Sequence, residues 1–406
     1  MAILPLDDRF ALRSPAPDPA PAPGSPGRGP VGAPERSLRA SRLEGNGGPR
    51  VALVHLGNVG ALGTTRRVAV WRGLLSSAGA EVVEVNLLGA HRRVVPSPVA
   101  AVGALRGTIV PETAVWSVGG AERALRRTGA TAAVFVTPRA FHPRLAGVVE
   151  RSVLDLQDLF SRSYLGRAAV DRRPGAAAAW RALARATARF ERREHGVALV
   201  AAGWAEAQEM EATWIPNTLG PSVPASDISE HAQAPFDLVL FGKLTALPNL
   251  DALRRLAGWW PEVQAAVPGA TLLVAGSGTS AEIRRTVAGC GWSLQGDFAD
   301  AIELCARARV AVAPLRHANG IQNKLLEAAA AGIPQVVSPQ ALRGLAPGFP
   351  AWVAETAAET AAAVGELLAS PASRLSLARQ AHAHVEAVYG SRPWVDTVRA
   401  LVAPTS

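Results

Sequence analysis

The chain has 406 residues, enough for about two domains of ordinary size, and 49% of them are hydrophobic, enough for sizeable cores. Its formal charge of +9 and isoelectric point of about 10.8 favour anionic small molecules, polyanions or acidic lipid headgroups. The longest apolar runs, AAVFVT and VALVAAGWA, fall short of the roughly 20 residues of a bilayer span. The N-terminus, MAILPLDDRFALRS, lacks a basic-then-apolar signal pattern. Cys290 and Cys305 form neither a disulfide framework nor a metal site and read as small core residues. The cytoplasm is the expected compartment, with peripheral contact to an acidic membrane face open to a minority of the arginines. Those arginines lie in short clusters, HRRVV at 91–95, RALRR at 123–127, DRR at 171–173 and RFERRE at 189–194, most of them expected on solvated faces. No aromatic-rich basic strip interleaves with them, so nucleic acid is not an expected partner.

Residues 1–48, centred on PAPDPAPAPGSPGRGP, show no periodicity and read as a disordered arm. Order is expected from Val51. VALVHL reads as a strand, GNVGALGTTRRVAVWRGLLSSAG as loop then helix, and EVVEVNLL, AAVFVTP, SVLDLQDL and VALVAAGW as further strands. Helical stretches such as GGAERALRRTG and an Ala/Arg helix around 176–195 separate some of them. This alternation over residues 49–218 predicts a parallel sheet covered on both faces. The polar stretch TLGPSVPASDISEHAQAP, which begins at Thr218, reads as a linker or hinge over 219–235. A second series follows over 236–390: DLVLFG, a helix around 249–265, ATLLVAG, a helix at 279–289, SLQG, a helix at 299–307, VAVAPL, a helix at 323–331 and PQVVS. From Ala357 onward the chain reads as helical. Two doubly wound α/β domains in series would place a ligand cleft between the carboxyl ends of their sheets.

The chain has only two lysines, Lys243 and Lys324, although Lys and Arg together number 42. A composition that uses arginine wherever charge alone suffices leaves lysine where a compact ammonium head is needed. Both lysines adjoin glycine-marked turns, in FGKLTALPN and NGIQNKLLEAAAAGIP. In VAVAPLRHANGIQNKLLEAAAAGIPQVVS a strand ends at Pro314, a loop carries Arg316, His317 and Asn319, and a helix follows Gly320. Gly320, Lys324, Glu327 and Ala331 are spaced to share one helix face. By periodicity alone this is a plain amphipathic helix with Lys and Glu on its wet edge. Read chemically, free N–H groups at the helix start favour a diphosphate, Lys324 adds charge, and Glu327 can accept two hydroxyl hydrogen bonds from a ribose diol.

The segment Gly320 to Pro334, G-x-x-x-K-x-x-E-A-x-A-x-G-x-P, resembles the nucleotide-sugar site of family 4 glycosyltransferases of the GT-B fold, as found in exopolysaccharide-type gene clusters. The resemblance covers residues of about 50 to 400, densely in the second half. It implies two facing Rossmann-like domains with a terminal helix over 391–406, in the segment YGSRPWVDTVRAL that starts at Tyr389, crossing back to the first. It also implies that Glu327 holds the donor ribose, and that the backbone of Gly320, Ile321, Gln322 and Asn323, with Lys324, holds the diphosphate. Many members carry a second glutamate where this chain has Asn319. FGKLTALPN resembles the first turn of the second domain, with Gly242 and then Lys243 at the diphosphate. The second lysine common six positions later is Asn249 here, a charge that Lys324 or Arg316 would supply. Gly276 and Gly278 match the next strand turn, and Trp292 to Gln295 would line the nucleobase or form a core strand. LGNVGALGTTRR resembles a glycine loop in which Gly60 and Gly63 admit donor phosphate or acceptor. Where many members read H-D, this chain has Gln157 and Asp158, and His142 is a substitute histidine that is more often incidental.

The resemblance implies a retaining transferase that moves a sugar from a nucleoside diphosphate sugar to an acceptor hydroxyl, a lipid-linked or natural-product glycan among the candidates. Lys243 and Lys324 would stabilise the departing diphosphate, with no metal or other cofactor required. Two alternatives share the scaffold: a sugar-nucleotide epimerase, and a non-catalytic nucleotide-binding or scaffold protein. Asn319, Asn249 and Gln157 depart from the common pattern in the direction of the latter.

Overall fold

The computed structural model describes residues 48–404 apart from 58–61, 89–101, 105, 112, 114–115, 172, 221, 230 and 232. The N-terminal arm expected over 1–48 and Gly60 of the glycine loop therefore lie, but for Gly48, outside the described residues.

Twelve strands form two parallel sheets among the described residues. The first contains β1 (Arg50–His55), β2 (Glu81–Asn86), β3 (Ala132–Val136), β4 (Arg151–Gln157), β5 (Ala198–Ala201) and β6 (Thr213–Trp214), in the order β2-β1-β3-β4-β5-β6. The second contains β7 (Phe236–Phe241), β8 (Leu272–Ala275), β9 (Ser293–Gln295), β10 (Ala308–Ala313), β11 (Gln335–Val337) and β12 (Trp352–Val353), in the order β12-β11-β10-β7-β8-β9. The strand order reverses between β1 and β3 in the first sheet and between β7 and β10 in the second. In open parallel sheets the crevice outside the strands' carboxyl ends at such a reversal is where ligands bind.

Both faces of each sheet are covered, which is why the strands read as nearly unbroken apolar runs. In β1, Ala52 and Val54 pack with Phe135, Phe141 and Leu154 on one face. Val51 and Leu53 pack with Val134, Val153 and Trp71 on the other. The second sheet repeats the arrangement, with Leu238 and Leu240 on one face and Val239 and Phe241 on the opposite one.

The stretch read as a linker is docked on the second domain: Leu219 N–H donates to Tyr389 O at 2.7 Å, Val223 N–H to Ala330 O at 3.0 Å, and Ile228 is buried. Helices Ala357–Ala369 and Pro371–Tyr389 cover that domain, the first opened by a capping box between Thr356 and Glu359. The final helix, Val395–Val402, then returns to the first domain, where Val398 and Val402 join the core formed by Val51, Leu53, Trp71 and Leu75.

Candidate active site

The second-domain half of the cleft is built at the reversal between β7 and β10. After β7 the chain turns at Gly242, whose φ of 135° suits glycine alone. A Cβ on Gly242 would stand 2.9 Å from Asn249 Nδ2 and 3.7 Å from Lys324 Nζ. The neighbouring turn after β8 is equally tight, since a Cβ on Gly276 would overlap the Gly242 carbonyl. Asn249, buried in the first turn of helix Leu247–Ala266, donates from Nδ2 to Lys243 O at 2.9 Å and accepts from Lys324 Nζ through Oδ1. The residue standing where a lysine was expected thus couples the Lys243 turn to Lys324. The cation in contact with Asn249 is Lys324. Arg316 lies in an exposed loop 3.9 Å from Asp251 Oδ2.

Helix Asn323–Ala330 begins at Asn323, with Gly320 in the preceding bend, so only Lys324 and Glu327 of the four residues expected on one face belong to the helix and its face. The Gln322 side chain at its N-terminus does not cap it; that amide turns back to Asn319 O at 3.3 Å. Ile321 is buried in the second-domain core. Burial pushes the Lys324 ammonium down to about 8, with Glu327 opposing the shift.

The first domain closes the other side. Gly320, at φ 63°, packs so closely on Asp158 that a Cβ there would overlap its carboxylate, and its N–H donates to Glu206 Oε1 at 3.4 Å. Asn217 Nδ2 donates to Asn323 Oδ1 at 2.9 Å, and Arg66 is ion-paired with Glu327. Glu327, expected to hold ribose, holds an arginine of the facing domain in this structure.

Behind Arg66 lies a fully buried pair, Arg67 and Asp155. Arg67 Nε donates to Asp155 Oδ2 at 2.6 Å and Nη2 to Oδ1 at 3.2 Å, while Nη1 reaches Pro216 O at 3.0 Å and Asn217 Oδ1 at 3.3 Å. Trp71 Nε1 donates to the same carboxylate at 2.7 Å and Gln157 N at 3.0 Å. This network fixes helix Leu62–Ser77, with Gly63 in its first turn rather than in the loop, against the Asn217–Asn323 contact.

Two adjacent strands end in non-glycine residues with positive φ: Thr137 after β3 at 73° and Gln157 on β4 at 58°. A β-branched residue there is a true outlier, and such strain collects at functional clefts. Gln157 Oε1 and Glu206 Oε2 are buried acceptors that lack a hydrogen-bond partner among the described residues. His142 instead caps helix Pro143–Ala146 by accepting from Arg144 N at 3.1 Å and packs edge-on against Trp116. Trp292 is a core side chain against Trp260, so the core-strand reading applies to it rather than nucleobase contact.

Desolvation raises the Asp158 carboxyl to about 7, reinforced by Glu206 and Asp155 and opposed by Arg67. Because the folded state keeps a proton that an unfolded aspartate releases near pH 4, this contribution to stability is full below that pH and is lost as pH rises through about 7. Asp158→Asn is expected to raise the melting temperature above pH 7 and to flatten its decline between pH 4 and 7, where the slope is at most about 1.4 kcal/mol per pH unit. Melting curves of both proteins across pH 4–9 check this; parallel profiles would count against it.

Two parallel sheets whose carboxyl ends meet across a cleft, joined by a returning terminal helix, define the two-domain GT-B fold. Residues 235–370, within and just before the second domain, match the family described as glycosyl transferases group 1. No curated protein matches the chain at a significant level. Among solved structures, the chain is similar to Anabaena HepE in complex with UDP, at 13% identity and a TM-score of 0.57, over 87% of this chain and 98% of that one. It is also similar to sucrose-phosphate synthase from Thermosynechococcus elongatus, at 14% identity and a TM-score of 0.56, over 87% and 96%. A point mutant of S. aureus TarM, solved with fondaparinux, alpha-GlcNAc-glycerol and UDP, aligns at 9% identity and a TM-score of 0.50 over 67% of this chain. The match spans about half of TarM's length, 55%. At these identities the likeness is one of fold. No helix among the described residues is long and apolar enough to cross a membrane.

Proposed function

We propose that the protein is a retaining glycosyltransferase that moves a sugar from a nucleoside diphosphate sugar to an acceptor hydroxyl. The observation that carries this reading is the coupling of the only two lysines through Asn249 at the β7/β10 reversal, within the group 1 domain. Lys243 and Lys324 face the diphosphate with the uncapped N–H groups of Gln322 to Lys324, and stabilise the charge that grows as the sugar–phosphate bond breaks. Glu327 accepts the ribose hydroxyls. Asn319 and the loop at Gly320 lie toward the donor sugar, and Gly242 permits the close approach of Lys324. Arg316 remains at the rim. The leaving phosphate takes the acceptor proton, so no protein base is needed, and the reading requires neither a metal nor another cofactor. UDP in the HepE and TarM structures supports a uridine nucleotide as the first to test. The acceptor in this reading is a glycan, lipid-linked or part of a natural product, met in the cytoplasm, with peripheral membrane contact where the acceptor is lipid-linked.

A thermal-shift panel of UDP, GDP, dTDP and ADP tests the nucleotide, because a ligand that binds only the native state raises its midpoint. With the best ligand, Glu327→Ala is expected to lose about 1–3 kcal/mol of binding by calorimetry while remaining folded, since a charged acceptor for the ribose is gone. Wild-type affinity in that variant would remove Glu327 from the site.

A further inference from the structure

Glu327 meets Arg66 across the cleft, although the proposed function gives that carboxylate to the ribose. The pair joins the two domains, and its side chains are 26% and 29% exposed, open enough for a ligand to reach and dry enough for the charges to matter. Arg66 is aimed there by its neighbours. Arg67, next in the chain, is locked by Asp155, and Asn217 links Arg67 to Asn323 at the head of the helix bearing Glu327. Lys324 lies one helical turn before Glu327 and feels its charge. The Arg66 guanidinium is therefore held about one helical turn from Lys324, a cation assigned to the diphosphate.

We propose that Arg66 is a third diphosphate-binding residue, supplied by the first domain and held on Glu327 until the donor arrives. Binding is an exchange of partners. The diphosphate, with more charge and a geometry matched to the planar fork, takes the guanidinium from the carboxylate. The freed Glu327 then accepts the ribose hydroxyls. The domains stay bridged throughout, first by Arg66 and Glu327, then by Arg66 and the ligand, and a donor lacking its phosphates cannot complete the exchange. This rests on the proposed donor site. It adds a cation from the opposite domain and a reason for Glu327 to be engaged before ligand enters.

The test compares UDP with uridine on the full-length protein, by calorimetry for the first and ligand-observed NMR for the second. In Arg66→Gln, UDP affinity is expected to fall about 10-fold or more, the loss of one charged hydrogen-bond partner. Uridine affinity is expected to hold or rise, because Glu327 is released. Arg66→Lys should recover part of the UDP affinity and none of the bidentate geometry. Equal tightening of both ligands in Arg66→Gln would make Arg66 a mere competitor for Glu327 and overturn the proposal. Unchanged UDP affinity, or a parallel loss of both ligands with a lower melting temperature, would also overturn it. If wild type binds neither UDP nor GDP, dTDP or ADP, the donor-site reading itself falls, a result distinct from wild-type binding with an indifferent Arg66.

Discussion

Arg67→Met is expected to destabilise the first domain by about 3–5 kcal/mol, the cost of leaving a buried carboxylate without its counter-charge. Arg67 and Asp155 have no solvent exposure, and the guanidinium makes four hydrogen bonds: two to the carboxylate, one to Pro216 O and one to Asn217 Oδ1. Removing it strands Asp155, which still accepts from Trp71 Nε1 and Gln157 N, and strands Pro216 O as well. The double variant Arg67→Met, Asp155→Leu should recover part of the loss, because two apolar groups no longer bury a charge, while Trp71 Nε1 and Pro216 O stay unpaired. Urea unfolding followed by tryptophan fluorescence reads both. A loss under about 1 kcal/mol in the single variant would mean that Asp155 is neutral or reached by water, and the pair would cease to be the anchor of helix Leu62–Ser77.

That anchor was only half legible in the sequence. An aspartate in the middle of VLDLQ, a central strand of a parallel sheet, demands a buried partner, and that signal was present. The partner's identity was not, because Arg67 and Asp155 are 88 residues apart and nothing local distinguishes Arg67 from Arg66. The strand–helix alternation was readable because both sheet faces are covered, so each long strand is a continuous apolar run. The two-residue strands β6 and β12 and helix Phe160–Val170 were missed. The first two are too short to have a period, and the helix follows directly on the apolar run of β4.

The two halves of the cleft differ in the same way. Glycines at Gly242, Gly276 and Gly320 mark backbone that must pass close to something, and a lysine beside such a turn in an arginine-rich chain stands out. The first-domain half rests on Thr137 and Gln157 holding positive φ, and on Glu206 and Asp158 meeting Gly320. None of these residue types announces that geometry. Asn249 shows a third case. Its departure from the expected lysine suggested a weakened site, whereas its amide uses both ends, one on Lys243 O and one on Lys324. A lysine there would repel Lys324; an amide orients it.

Lys324→Ala is therefore expected to lower turnover about 10²- to 10³-fold, the scale seen when one preorganised stabilising donor is removed, with little change in melting temperature. The ammonium is partly buried, positioned by Asn249, and offset by Glu327 one turn on, so it is held ready rather than recruited. Its interaction strengthens as charge moves onto the leaving diphosphate, which places the loss in kcat even at saturating donor. Lys324→Arg should recover only part, because a planar fork cannot occupy the space between Asn249 Oδ1 and the Gly242 turn as a point charge does. Burial lowers the ammonium to about 8, so kcat/KM, which reports the free enzyme, should fall as pH rises through that value and the charge is lost. Bound diphosphate favours the charged form, so the corresponding fall in kcat should move to higher pH. Steady-state rates for wild type and both variants between about pH 6 and 10 check each statement. Near-wild-type turnover in Lys324→Ala would return this lysine to an ordinary helix surface and remove the main support for the donor site.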